Sequence, residues 1–282
     1  MRGDVSARVA LVTGAGRGLG RVMTIALLRA GLRVILTSTD RDTLEDTVRA
    51  SGAPAAHAHI LVLDLAESGA CETVAAAAEA VWGRVDVLVN NAGLGTTSIR
   101  KDLLTHPFKF WEVERSIFER FFLINSSVPY FLAARLAPAM VRRGWGRIVN
   151  NTTSLDTMLR FAVYGGSKAA LEAHTASMAH DLAGTGVTAN VLVPGGGAAT
   201  RMVEGLGLPM SSFIDPQVMA APIVWLASDA SDDVTGRRFI ARDWDPALPA
   251  ERAAAAAGAP VAWTGFGSRG VHPAQAMSKA PQ

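Results

Sequence analysis

Only one cysteine, Cys71, occurs among the 282 residues, so no internal disulfide can form. The fold must be held by its core, and a reducing compartment is expected. Cys71 falls in an alanine-rich helical stretch and reads as inert. Long apolar runs are missing too. No segment approaches the about 18 uninterrupted apolar residues of a membrane span, and Met1–Ala7 is polar, without the apolar core of a signal peptide. A soluble, cytoplasmic protein with no membrane partner is the expectation.

Charge of one sign is also lacking. Lys and Arg number 27 against 25 Asp and Glu, and no run of like charges forms a stripe that would grip nucleic acid. The six histidines show no metal-ligand spacing, so no metal is expected. No strand–G-x-S-x-G elbow surrounds Thr152-Thr153-Ser154, which argues against a hydrolase nucleophile. Aromatics make up 6% of the chain, while glycine is abundant at 27 residues. That composition suits helices packed tightly on a sheet.

What the chain does contain is a regular alternation. Arg8–Thr13, Arg33–Thr37, His59–Leu63, Val85–Asn90, Arg147–Thr152, Thr188–Val193 and Arg238–Ala241 are short runs rich in Val, Leu and Ile. They lack polar alternation, as strands covered on both faces should. Between them lie helical patterns: Leu19–Ala30 stopped by Gly31, Glu72–Trp82, Phe121–Arg142 with Pro129 near a kink or boundary, and Lys168–Ala183. Such alternation predicts an α/β fold, a doubly wound parallel sheet of seven strands with helices on both faces. One domain over residues 1–245 is expected. The Ala-, Pro- and Gly-rich residues 246–282 would form an extension, partly mobile or engaged in subunit contacts.

The first strand runs into Thr13-Gly14-Ala15-Gly16-Arg17-Gly18-Leu19-Gly20 and then into a helix. Gly14, Gly18 and Gly20 fit G-x-x-x-G-x-G. Glycine permits the tight turn and the close approach of a pyrophosphate, and the helix N-terminus offers free N–H groups to the anion. The tip of the second strand bears on the choice of dinucleotide. An acid there would grip the ribose hydroxyls and repel a 2′-phosphate. By count that position falls near Ser38, which is neutral. Ser38 and Thr39 can hydrogen-bond a phosphate, and Arg17 or Arg41 can neutralise it, so NADP is favoured over NAD. Asp40 is the counter-argument.

Tyr164 and Lys168 stand four residues apart at the opening of a helix and so share one face. A phenol is a poor base at neutral pH unless a nearby cation favours its phenolate. The pair is a candidate general acid/base for an alcohol or carbonyl.

With these marks the chain resembles the short-chain dehydrogenase/reductase family over about residues 5 to 243. Thr13–Gly20 matches its glycine turn, and Asp64-Leu65 its adenine-binding position. Asn90-Asn91-Ala92-Gly93 matches its N-N-A-G motif, Tyr164 and Lys168 its Y-x-x-x-K, and Pro194-Gly195 its P-G. The resemblance implies NADP or NAD as cofactor, and hydride exchange with a small-molecule secondary alcohol or ketone. Tyr164 would be the proton donor or acceptor. Lys168 would lower the phenol's pKa and bind the nicotinamide ribose. Asn125 would hold a water behind Lys168, and Thr200 would touch the nicotinamide carboxamide. Homodimers or homotetramers are implied. A non-catalytic dinucleotide sensor and a dehalogenase-like lyase are the rival readings, and the intact Asn125, Tyr164 and Lys168 set speaks against both.

Two departures stand out. The family keeps a catalytic serine about a dozen residues before the tyrosine. Ser154 lies ten before Tyr164 and is the preferred candidate, with Thr153 the alternative. The stretch from Asn91 to Asn125 also exceeds the family length by roughly one helical turn or more. Its Phe108, Phe110 and Trp111 would either cover the substrate mouth or form an outer patch or subunit contact.

Overall fold

The structure is a computed structural model that describes residues 8–103, 105–204 and 206–263. Its strands are β1 (Val9–Thr13), β2 (Arg33–Ser38), β3 (Ala58–Val62), β4 (Val87–Asn90), β5 (Gly146–Asn151), β6 (Val187–Val193), β7 (Arg237–Ile240) and β8 (Gly258–Pro260). They lie in one sheet in the order β3-β2-β1-β4-β5-β6-β7-β8. The first seven pair in parallel, as the alternation predicts. The eighth was not foreseen. It is three residues long, runs antiparallel to β7, and carries no apolar run that a pattern could detect.

Successive strand residues point to opposite faces, and both faces are covered. On one side Ala10, Val12, Val34 and Leu36 meet Met23 and Leu27 of α1 (Gly18–Arg29) and Leu44 of α2 (Arg41–Ser51). On the other side Val9, Leu11, Ile35 and Leu88 meet Val74 and Ala78 of α3 (Ala70–Trp82). The burial of both faces explains the unbroken apolar strands.

α4 (Arg115–Phe122) leads through a π-helical turn, Leu123–Ser127, into α5 (Val128–Arg143). The helix thus starts six residues earlier than the pattern suggested, and Pro129 follows directly on the π-helical turn, an irregularity where a residue without an N–H is accommodated. α6 (Leu155–Arg160) and α7 (Ala162–Asp181) follow β5. α8 (Ala220–Leu226) packs on the α1 face. α9 (Ala250–Ala257) buries Ala253, Ala254 and Ala257 against the same core as Trp225, Phe239 and Trp244. The start of the presumed extension is therefore built into the sheet and its covering layer. Of the apolar stretch Val261–Phe266, Val261 is buried, and residues from 264 onward lie outside the described residues.

The chain leaves β1 toward β2 and β3 on one side, and resumes with β4 on the other. In open α/β sheets ligands bind at this reversal, outside the carboxyl ends of the strands. There the structure opens a cleft of about 900 Å³.

Candidate active site

The glycine turn forms one end of the cleft. Gly14 and Gly18 adopt positive φ of 65° and 53°, a backbone region that side chains disfavour. A Cβ on Gly20 would collide with the Gly14 carbonyl and the Asn91 amide. The first turn of α1 has no side-chain cap and no acid, so its free N–H groups are available to an anion. That cradle fits a dinucleotide pyrophosphate. Gly14, Arg17, Gly18 and Leu19 line the cleft. Gly20 lies behind it and lets the turn close.

Thr13 and Asn91 tie β1 to β4. The Thr13 hydroxyl accepts from the backbone N–H groups of Asn91 and Ala92, each at 3.0 Å. The Asn91 amide donates to the carbonyls of Thr13 and Gly14 at 3.0 and 3.2 Å, and its oxygen accepts from Asn151 at 3.0 Å. Asn91 therefore builds the floor that Ala92 and Gly93 present to the cleft.

At the far strand ends, Ser38, Thr39, Asp64 and Leu65 line the cleft. Asp40 does not. Its carboxylate accepts from the Thr43 N–H at 3.2 Å and caps α2. Arg41 is paired with Glu45 at 3.7 Å, whereas Arg17 is exposed and has no ion-pair partner among the described residues.

Tyr164 and Lys168 sit on α7, one turn apart, and both face the cleft. α6 lies close against this turn, since a Cβ on Gly165 would strike the Met158 carbonyl. The Lys168 Nζ donates to the Asn151 carbonyl at 2.8 Å. Lys168 is buried, which pulls its ammonium from 10.5 down to about 8. Burial pushes the Tyr164 phenol above its ordinary value, and a hydrogen bond with the Thr153 side chain pulls the other way. The sequence-based expectation was a phenol lowered by Lys168. Here desolvation is the larger influence, because low dielectric disfavours the anionic form.

The third hydroxyl differs from the preferred expectation. Ser154 caps α6: its Oγ accepts from the Thr157 N–H at 3.2 Å and shares a 2.7 Å hydrogen bond with the Thr157 hydroxyl. Ser154 does not line the cleft, whereas Thr152, Thr153 and Thr157 do. The physical reason is where β5 ends. After Asn151 the backbone turns at once into a helix start, and a serine there serves as cap.

Asn125 lies in the π-helical turn and is wholly buried. Its oxygen accepts from the Leu94 N–H at 2.8 Å, and its amide donates to the Leu94 carbonyl at 3.1 Å and to Ser167 at 3.0 Å. The side chain is spent on clamping the loop after Gly93. It does not reach into the cleft to hold a water.

Pro194 and Thr200 line the cleft, and the Thr200 methyl stands against Gly18. Gly195 instead faces Ile240 and Arg242 on the β7 side, at a φ of 101°. Phe110 and Trp111 stack edge to face in solvent, 76% and 70% exposed, and take no part in lining. Of that long stretch, residues 91–98, Leu103, Arg120 and Ile124 line the cleft.

Sequence reasoning missed a buried polar network behind Thr153. Arg238 donates to the Thr153 carbonyl at 2.6 Å and pairs with Glu172 at 2.9 Å. Glu172 also accepts from the Thr152 hydroxyl at 2.7 Å and from the Ala262 N–H at 3.3 Å. An arginine within a buried strand was the available signal.

Among the described residues no helix is long and apolar enough to cross a membrane, and no group of three or more His, Cys, Asp and Glu could hold a metal ion.

The reversal cleft, the open helix N-terminus and the tyrosine–lysine turn together define a dinucleotide-dependent oxidoreductase. The profile of the short chain dehydrogenase family matches residues 8–209, and the chain belongs to this family. It is 29% identical to a 3-oxoacyl-[acyl-carrier-protein] reductase of Synechocystis sp., over 83% of this chain and 95% of that protein. It is 30% identical to a 2-keto-3-deoxy-L-fuconate dehydrogenase of Xanthomonas campestris, covering 82% and 77%. Among solved structures, a putative NAD(P)-dependent gluconate 5-dehydrogenase of Beutenbergia cavernae, with NADP bound, superposes with a TM-score of 0.69. That pair shares 29% identity and covers 81% and 92% of the two chains.

Proposed function

We propose that this protein reduces a ketone to a secondary alcohol, and reverses the reaction, with Tyr164 as the general acid/base. The observation that carries the reading is the half-buried Tyr164 phenol, which lines the cleft together with Thr153 and stands one helical turn from Lys168. When bound, the nicotinamide supplies or accepts the hydride. A phenol holds its proton at neutral pH, and burial raises the Tyr164 pKa further, so it can protonate a carbonyl oxygen as that oxygen gains charge. The Thr153 hydroxyl, in place of Ser154, stabilises the same oxygen by a preset hydrogen bond. Lys168 is charged below about pH 8 and favours the phenolate left after proton release. Asn125 holds the loop after Gly93 in place through Leu94.

NADP is the preferred dinucleotide. Asp40 is spent on capping α2, so the cleft end presents Ser38, Thr39 and the partnerless Arg17 to a 2′-phosphate. The relative solved with NADP bound supports this choice. The exposed Phe118, Leu123, Tyr130 and Phe131 on α4, the π turn and α5 support a homodimer or homotetramer.

The test is a panel of ketones and secondary alcohols with NADPH, NADH and their oxidised forms, run on wild type and Tyr164→Phe. Turnover should be faster with NADPH and should fall at least about 10²-fold in the variant. Full activity in Tyr164→Phe would remove the assigned acid/base.

A further inference from the structure

We infer that the substrate carries an anionic group, a carboxylate on an apolar chain, held by Arg120 and Arg201. This inference rests on the ketone reductase reading above.

The cleft has two unlike ends. Among the described residues its only lining acid, Asp64, lies at the adenine-side end with Leu65. The other end is walled by Leu103, Ile124, Phe161, Val203, Leu206 and Phe213. Two exposed arginines also line the cleft, Arg120 from the last turn of α4 and Arg201 from the turn Arg201–Val203.

Neither has an ion pair or a side-chain hydrogen bond among the described residues. Arg8, Arg84, Arg115, Arg135, Arg147 and Arg238 are each paired with a carboxylate, whereas the arginines that line the cleft, Arg17, Arg120 and Arg201, have no such partner among the described residues. The acid nearest in sequence to Arg120 is Glu119, and it is bound to Arg115 at 2.7 Å. Helix-dipole stabilisation does not account for Arg120 either. The backbone continues helically through Leu123–Ser127 into α5, so no free carbonyls end the helix there. Arg201 is fixed at the cleft because Thr200 stands against Gly18, and the next residue, Met202, packs on Gly95 and bonds Thr97 through its carbonyl at 2.7 Å.

Two unpaired guanidinium groups beside an apolar wall suit a ligand with matching parts. A carboxylate accepts the forked N–H donors of arginine, and an alkyl body fills the wall. A neutral ketone would offer neither arginine an acceptor of matching charge.

The test compares 2-, 4- and 5-oxooctanoate with their methyl esters, using NADPH and the full chain, at low and high salt. For at least one oxo position the acid should exceed its ester in kcat/KM by roughly ten- to a hundred-fold, and salt should narrow the gap. In Arg120→Met/Arg201→Met the acid-to-ester ratio should collapse toward one. The ratio is the readout, since a folding defect lowers both rates alike. 4-Oxooctyl phosphate outperforming every acid would overturn the carboxylate in favour of a phosphate ester. Esters matching acids at every position in wild type would overturn the inference and leave the reductase reading standing. Weaker NADPH binding in Arg201→Met with an unchanged ratio would also overturn it, assigning that arginine to the dinucleotide. If acids, esters and 2-octanone all fail to turn over, the reductase reading falls. The anion site is then decided by calorimetry: octanoate should bind the wild type at least ten-fold more tightly than octanamide, and equal binding would sink it.

Discussion

Replacing Lys168 by methionine should make the ligand-free protein more stable at neutral pH while stopping its chemistry. Lys168 is 4% exposed, and burial draws its ammonium from 10.5 to about 8. Each pH unit of that gap is worth about 1.4 kcal/mol, so keeping the charge inside the fold at pH 7 costs about 3 kcal/mol. Methionine fills similar space without charge. It loses the 2.8 Å hydrogen bond to the Asn151 carbonyl, which returns about 1–2 kcal/mol of that gain. A net stabilisation of about 1–2 kcal/mol is left at pH 7. The pH dependence separates this account from simple repacking. Between about pH 8 and 10.5 the folded protein has released the Lys168 proton while the unfolded chain still holds it. The unfolded state then binds more protons, so wild-type stability rises with pH through that window. The variant has no such rise. Urea unfolding of both proteins at intervals from pH 7 to 10.5 measures the difference, and other titrating groups cancel in it. The difference should move by about 3 kcal/mol and change sign. A difference constant within about 0.5 kcal/mol would refute a Lys168 poised near pH 8, since linkage then has nothing to act on.

Two further substitutions probe the surroundings of Tyr164. Thr153→Val should cut kcat by about 10²-fold by removing the hydroxyl that faces the phenol. Ser154→Ala should instead show in unfolding, losing about 1 kcal/mol with its helix cap. If the larger kcat loss fell on Ser154→Ala, the hydroxyl role would return to Ser154. Arg238→Met should destabilise by about 3–5 kcal/mol because it strands Glu172 without its partner. Adding Glu172→Leu should restore most of that stability, and chemical denaturation of the single and double variants checks it.

What could be read from the sequence was what is local. The helix phase of Tyr164 and Lys168 follows from four residues of spacing. The glycine turn follows from residues 13–20, where close approach admits no side chain. The seven parallel strands announced themselves because burial on both faces demands unbroken apolar runs. The failures share the opposite property. Whether Ser154 or Thr153 faces Tyr164 depends on a one-residue question, where β5 stops and α6 starts. The signal was present: Ser154 stands before a helical turn with Asp156 inside it, which is a helix-start signature. Glu172 and Arg238 are 66 residues apart, and no periodicity links them. β8 is three residues of Gly-Ala-Pro, too short and too poor in strand-forming residues to register as a strand. The role of Asn125 changed for a related reason. A side chain counted by motif position was assumed free, yet the π-helical turn aims it at Leu94 and Ser167. The same limit governs specificity. Composition left Phe110 and Trp111 open between a substrate mouth and an outer patch, because it does not say which surface a large aromatic will meet. The residues of that stretch that do line the cleft, Leu103 and Arg120 among them, look ordinary in sequence. Position is inherited from the sheet and its glycine turn, whereas substrate choice is set by which loop residues the long connections happen to deliver. That is why the unpaired Arg120 and Arg201 emerge only from three-dimensional placement, and why the acid-to-ester ratio is the measurement on which the substrate class turns.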